Sequence, residues 1–223
     1  MYPRLLSVVP LLVLVLSGLS GRAGAEVELF GPKARVFIHA DLPLTADQQR
    51  GLEGLRTDPQ YFGAMAILPG SYIYANFRGF HSWDMAIDGA VSECRRLSLL
   101  AGVQDRQCVL IASVIPKGLD EKEVLARGRG KLSAGLGQGS YFTFTGAYRD
   151  GKVRGTYGAF AISNFAQDGY SLGLPTRAMA EDWAVGECEA AVARAIVPYS
   201  RDVREYLREE GLDRCRVVDV QEP

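Results

Sequence analysis

A thirteen-residue segment ending in cysteine occurs twice in this chain, and that doubling constrains the fold more than any other feature. Ser82 to Cys94 aligns with Thr176 to Cys188, and seven of the thirteen positions are identical. Typical residue frequencies give about one match by chance. Upstream, Tyr61-Phe62-Gly63-Ala64-Met65-Ala66-Ile67 aligns with Thr156-Tyr157-Gly158-Ala159-Phe160-Ala161-Ile162, with the register moved by a single residue. That residue falls in the turn between the motifs, where length varies most easily. Such self-similarity points to two copies of one supersecondary unit.

Each copy reads as hairpin, helix, strand. Tyr61 to Ile67 is a short apolar strand, Leu68-Pro69-Gly70-Ser71 is turn chemistry, and Tyr72 to Phe77 is the second strand. Ser82 caps a helix, with Asp84 in its first turn. Trp83, Ala86, Ile87, Ala90, Val91, Cys94 and Leu97 fall at helical spacing on one stripe. Cys108 to Ala112 then forms a strand. In the second copy the strands are Thr156 to Ile162 and Gly169 to Gly173. Thr176 caps a helix with Ala180, Trp183, Ala184, Cys188 and Ala191 on its stripe, and Cys215 to Val220 closes the unit. The expected class is α+β: two tandem β-hairpin–helix–strand repeats, antiparallel sheet with helices packed on one face.

Four cysteines allow three pairings, and spacing alone does not choose between them. The alignment does. It puts Cys94 and Cys188 on helix stripes and Cys108 and Cys215 at the start of closing strands, so Cys94–Cys108 and Cys188–Cys215 are the expected disulfides. Neither a C-x-x-C pair nor a nearby His favours a metal site instead.

The N-terminus has Arg4, an apolar run from Leu5 to Leu16, and small residues ending Ala23-Gly24-Ala25. This is the pattern of a secretory signal cleaved between Ala25 and Glu26. The run is shorter than the roughly 20 residues a spanning helix needs. The leader holds two of the 25 basic residues and none of the 26 acidic ones, which leaves the remainder at −3. That charge argues against nucleic acid as a partner and against an anionic membrane. The division expected is signal peptide 1–25, first repeat domain 26–117, linker 118–155, and second repeat domain 156–223.

Outside the repeats, Lys33 to Ala40 reads as a strand, and Thr45-x-x-Gln48 as a capping box for a helix to Leu55. Asp120 to Leu132 is a charged helical stretch leading into a glycine-rich connection, Gly128 to Gly139. Tyr141 to Phe144 with Asp150-Gly151 suggests a hairpin. Ser200 suggests the cap of a helix ending at Gly211.

Few motifs carry chemistry. Gly169-x-Ser171-x-Gly173 fits a nucleophile elbow in letters only, because both histidines, His39 and His81, precede it and Pro175 separates Ser171 from its helix. Gly130-Lys131 lacks the other P-loop positions, with Leu125 and Leu132 where Gly and Ser/Thr belong. His81 reads as a surface residue at a helix start. Tyr72, Tyr74, His81 and Trp83 lie in an aromatic-rich stretch that could anchor a partner, although core packing is the commoner use of such residues. Asp88, Asp182, Glu93 and Glu187 recur on the polar helix faces and read as solvated.

Gly-Ala-x-Ala-Ile, a hairpin, Ser/Thr-x-x-x-Ala on a helix ending in Cys, and then Cys-x-Val-Val together resemble the secreted bacterial family catalogued as domain of unknown function 4189. The second copy matches best, at Tyr157 to Cys188 and Cys215 to Val218, whereas the first has Cys108-Val109-Leu110-Ile111. Arg194 to Asp213 is an insertion relative to the compact unit of that family. The resemblance implies export and brings no activity or catalytic residues. Some similar small exported proteins carry the name aminolevulinate synthase, but that chemistry needs pyridoxal phosphate on a lysine. Lys33, Lys117, Lys122, Lys131 and Lys152 sit in no such motif. The expectation is therefore a periplasmic or secreted, non-catalytic binding protein without cofactor or metal, whose partner is a protein or glycan of the envelope. The alternative is a secreted hydrolase using His81, Ser171 or the acids near the helices.

Overall fold

The computed structural model describes residues 27–103, 106–120, 122–123, 135–199, 201–209 and 211–223. The expected leader with its expected Ala25/Glu26 cleavage site, most of the charged stretch before Leu132, Gly130-Lys131 and Ser200 lie outside the described residues. The first half runs β1 (Ala34–Ile38), α1 (Ala46–Thr57), β2 (Gly63–Ile67), β3 (Tyr74–Phe77), α2 (Trp83–Leu100) and β4 (Val109–Pro116). The second runs α3 (Gln138–Phe142), a π-helical turn (Thr143–Tyr148), β5 (Tyr157–Ser163) and β6 (Asp168–Leu174). It continues with α4 (Arg177–Ala195), α5 (Arg201–Glu209) and β7 (Cys215–Gln221).

These strands make two antiparallel sheets, ordered β1-β4-β2-β3 and β6-β5-β7. In both, the first hairpin strand lies between its hairpin partner and the closing strand. The pairing with the closing strand also slips at the same place: between Met65 and Ala66 in one sheet, and between Phe160 and Ala161 in the other. Disulfides join Cys94 to Cys108 and Cys188 to Cys215, each with Cα atoms 6.1 Å apart. Each ties a buried helix position to the start of the closing strand.

The alternation in Gly-Ala-x-Ala-Ile explains how each sheet is covered. Successive strand residues face opposite sides. Ala159 and Ala161 pack with Ala180, Ala184 and Cys188 of α4, a contact of small residues that lets helix and sheet approach closely. Phe160 and Ile162 face the other way, onto Leu136, Phe144 and Tyr148. In the first sheet α2 packs on β2, β3 and β4, while α1 contacts β1, β2 and β3. Gly51 of α1 sits directly against Met65 and Tyr74. The buried Gln48 of α1 completes the capping box with Thr45 and donates to the Leu68 and Ile73 carbonyls in the β2–β3 turn. Helices pack against both antiparallel sheets, and the second sheet is covered on its other face as well.

The closest approach of helix to sheet is at Gly169. A Cβ there would lie 2.2 Å from the Cys188 amide nitrogen and 2.6 Å from the Ala184 carbonyl oxygen. Both are helix backbone and cannot rotate away. Gly169→Ala is expected to destabilise the fold by about 2 kcal/mol or more, by forcing α4 off the sheet. Urea unfolding checks this; a loss below about 0.5 kcal/mol would mean that the helix has room to move.

Three local expectations fail for packing reasons. Tyr141 to Phe144 belongs to α3 and the π-helical turn, not to a hairpin, because helical spacing brings Phe144 and Tyr148 together on Phe160. Gly135 to Gly139 is not a loose connection: Leu136 is fully buried, and Gly137 lies so near the Gly79 and Phe80 carbonyls that no side chain fits. Trp183, placed on the apolar stripe of α4, is 60% exposed, because the helix meets the sheet through the small residues Ala180, Ala184 and Cys188, with Val185 beside them.

Candidate functional site

Gly89, Ser92, Glu93 and Arg96 follow one another at i, i+3, i+4 and i+7 along α2, so they share one face. Opposite them stand Phe77 at the end of β3 and Phe80 just beyond it. The second half supplies Phe165 from the β5–β6 turn, Tyr199 from beyond α4, Tyr206 and Leu207 from α5, and Leu212. Together these surfaces enclose a cleft of about 240 Å³. The rings along its wall meet edge to face: Phe77–Phe80 at 5.4 Å, Phe80–Phe165 at 5.9 Å and Phe165–Tyr199 at 5.8 Å between centroids. That is the favoured geometry for aromatic pairs.

Among the described lining residues the charges of the cleft balance. Arg96 donates from both Nε and Nη2 to the two oxygens of Glu93, each at 2.7 Å, so the two charges answer each other within one helix turn. The Tyr199 hydroxyl is pushed above its ordinary range, first by burial and then by the negative charge of Glu93.

Gly89 is what leaves room on the α2 side. A glycine inside a helix costs about 0.5–1 kcal/mol relative to alanine. Nothing in the backbone requires it here: an added Cβ would rest 3.7 Å from the Phe77 ring, an ordinary contact. Gly89→Ala is therefore expected to stabilise the protein by about 0.5–1 kcal/mol while intruding on the cleft. Thermal unfolding of the two proteins measures it; a lower midpoint would contradict the space seen beside Phe77.

Behind the cleft, next to Phe80, lies His81. Its Nδ1 accepts from the Gly137 amide at 2.9 Å, and its Nε2–H donates to the Gln167 carbonyl at 3.4 Å. The ring is thus the neutral Nε2–H tautomer and links both halves to the segment between them. Burial holds its pKa down to about 4; the Gln167 carbonyl pulls the other way, and the charge of Arg216 adds to the lowering. Nearby, Ser140 donates to the Asp168 carboxylate, whose pKa is raised by burial against the effect of that hydroxyl.

The four aromatic-stretch residues do not form one surface. Tyr72 is 66% exposed and lines a separate shallow groove with Tyr74, Leu97 and Leu100. Trp83 is buried near the His39 ring. His81 is only 1% exposed, which corrects its reading as a surface residue: the second half and the 135–139 segment cover it. Among the acids, Asp88, Asp182 and Glu187 are exposed, while Glu93 is half-buried in the cleft.

Ser171 is buried, donates to the Ala180 carbonyl at 2.7 Å and accepts from the Ala159 amide at 3.1 Å. Its hydroxyl fixes strand to helix and strand to strand. His39 Nε2 lies 2.9 Å from Ser113 Oγ, but Ser113 is 1% exposed on a strand between two others and out of reach of a substrate. Among the described residues no group of three His, Cys, Asp or Glu side chains is placed to hold a metal ion.

The cleft residues that sequence reasoning missed include Gly89, Ser92, Arg96, Phe165, Tyr199, Tyr206, Leu207 and Leu212. One available signal was a glycine inside an otherwise regular helix. The other was the pair of tyrosines in the insertion from Arg194 to Asp213. Comparison of the chain with protein-family models, with curated proteins and with solved structures found no match in any of the three.

Proposed function

We propose that this chain is an exported, non-catalytic binding protein of the periplasm or extracellular space, whose ligand seats in the cleft between α2 and α5. The observation that carries the reading is the cleft itself. It is aromatic and internally charge-balanced, and it is kept open by a glycine that the helix would be more stable without. A largely apolar pocket with a few converging polar groups is the usual form of a small binding site. Export is supported by the leader pattern and by two disulfides, which persist in oxidising compartments. Among the described residues no helix is long and apolar enough to cross a membrane. The likeness to the secreted bacterial family of domain of unknown function 4189 supports the same placement, and the stretch read as an insertion supplies Tyr199, Tyr206, Leu207 and Leu212 to the cleft. Partners outside the cleft, protein or glycan, would belong to the envelope.

A thermal-shift screen of small compounds tests this on three proteins: wild type, Gly89→Leu with the cleft filled, and Ser171→Ala. Binding to the native state raises the midpoint by mass action. Compounds that stabilise wild type and Ser171→Ala alike, but not Gly89→Leu, are the expected result. Ester hydrolysis by wild type that Ser171→Ala abolishes would instead favour the hydrolase. N-terminal sequencing of the exported chain should begin at Glu26.

A further inference from the structure

We infer that the cleft takes a small neutral aromatic molecule of one or two fused rings. This rests on the reading of the cleft as the binding site and adds the ligand's class, for which size, charge and ring geometry each give an argument.

Size sets the number of atoms. An apolar cavity of about 150 Å³ holds a benzene ring. The cleft's volume of about 240 Å³ leaves room for a second fused ring but not for an extended chain. Charge sets the ligand's neutrality. Among the described residues of the cleft wall the full charges are Glu93 and Arg96, and each oxygen of the carboxylate already has a nitrogen at 2.7 Å. Their side chains are 19% and 27% exposed, so the pair is well removed from water. An ionic ligand would have to compete with this pair and to desolvate its own charge among phenylalanines. A neutral ligand leaves the pair intact.

Ring geometry selects for an aromatic group. Phe77, Phe80, Phe165 and Tyr199 are already stacked edge to face, and one more ring in the cleft can continue that series. A single N–H or O–H on the ligand has acceptors within the lining, at the Tyr199 hydroxyl and the Glu93 carboxylate. A free molecule, rather than a partner's side chain, suits a cleft lined from both halves, by Phe77 and Phe80 of one and by Tyr206 and Leu207 of α5 in the other.

Titration calorimetry of the full exported chain tests the class with four probes: indole, benzoate, benzylamine and an end-capped Gly-Trp-Gly peptide. Indole is expected to bind saturably, and the two charged probes at least tenfold more weakly. The peptide is expected to bind no better than indole. Gly89→Leu should weaken indole at least tenfold with an unchanged far-UV circular dichroism spectrum. Ser92→Leu fills the same space should the first variant fold poorly. Failure of indole to bind wild type, or equal binding of the charged probes, would overturn the ligand class. Tighter binding of the peptide would overturn the free-molecule assignment. Indole binding unaffected by a folded cleft-filling variant would overturn the cleft as the site, and so separate that failure from the others.

Discussion

Replacing Cys188 and Cys215 together by alanine is expected to remove about 3.5 kcal/mol of stability, the largest effect of any change considered for this chain. The bond closes a segment with a sequence separation of 27, against 14 for Cys94–Cys108. In the chain-entropy view, cross-linking restricts the unfolded chain, and the restriction grows with the logarithm of loop length, which gives about 3 kcal/mol for the shorter loop. The longer loop also contains α5 and Leu212, which form part of the cleft. Losing it should therefore loosen the cleft before the sheets separate. Denaturant unfolding of the two double-alanine variants measures both values. A loss below about 1 kcal/mol for Cys188/Cys215, or a larger loss for Cys94/Cys108, would contradict the assignment.

Acid is the second large lever. His81 has an ordinary pKa of 6.5 and is held at about 4 in the folded protein. The unfolded chain then binds a proton in this interval that the folded chain refuses, so stability rises with pH from about 4 to 6.5 and is level above. The interval corresponds to about 3 kcal/mol. The structural cause is that a doubly protonated ring can no longer accept from the Gly137 amide, and its charge would sit buried near Arg216. Asp168, raised by burial, works in the opposite sense, since its contribution falls as pH rises through its own titration. His81→Asn separates the two: its Oδ1 can replace Nδ1 as an acceptor and does not titrate. Urea midpoints from pH 4 to 7 should climb for wild type and run flatter for the variant. Parallel curves would show that His81 is not the group responsible.

Where local sequence decided the outcome, the reading was close. Thr45, Ser82 and Thr176 each accept from the amide three residues on, as N-caps do, and the helices begin directly after them. Small residues in Gly-Ala-x-Ala-Ile marked strands, and the doubled Cys positions matched the disulfides. Where tertiary contact decided, it was not close. Tyr-Phe-Thr-Phe has the alternation of a strand, yet Phe144 and Tyr148 gain more by meeting Phe160 from a helical segment. His81 carries no local sign of burial, because what covers it, Gly137 and Gln167, lies 56 and 86 residues away. The cleft was illegible for the same reason. Phe80 and Phe165 touch across the two halves, and no periodicity within either segment records that contact.

The most direct test of the cleft as a binding site is carbon-13 methyl spectroscopy of the folded chain during an indole titration. Leu207 and Leu212 line the cleft, while Leu99 and Leu100 are exposed on α2 away from it. The expected result is saturable shifts of the Leu207 and Leu212 methyls, with those of Leu99 and Leu100 unmoved. Shifts confined to Leu99 and Leu100, or linear and equal at all four leucines, would contradict it.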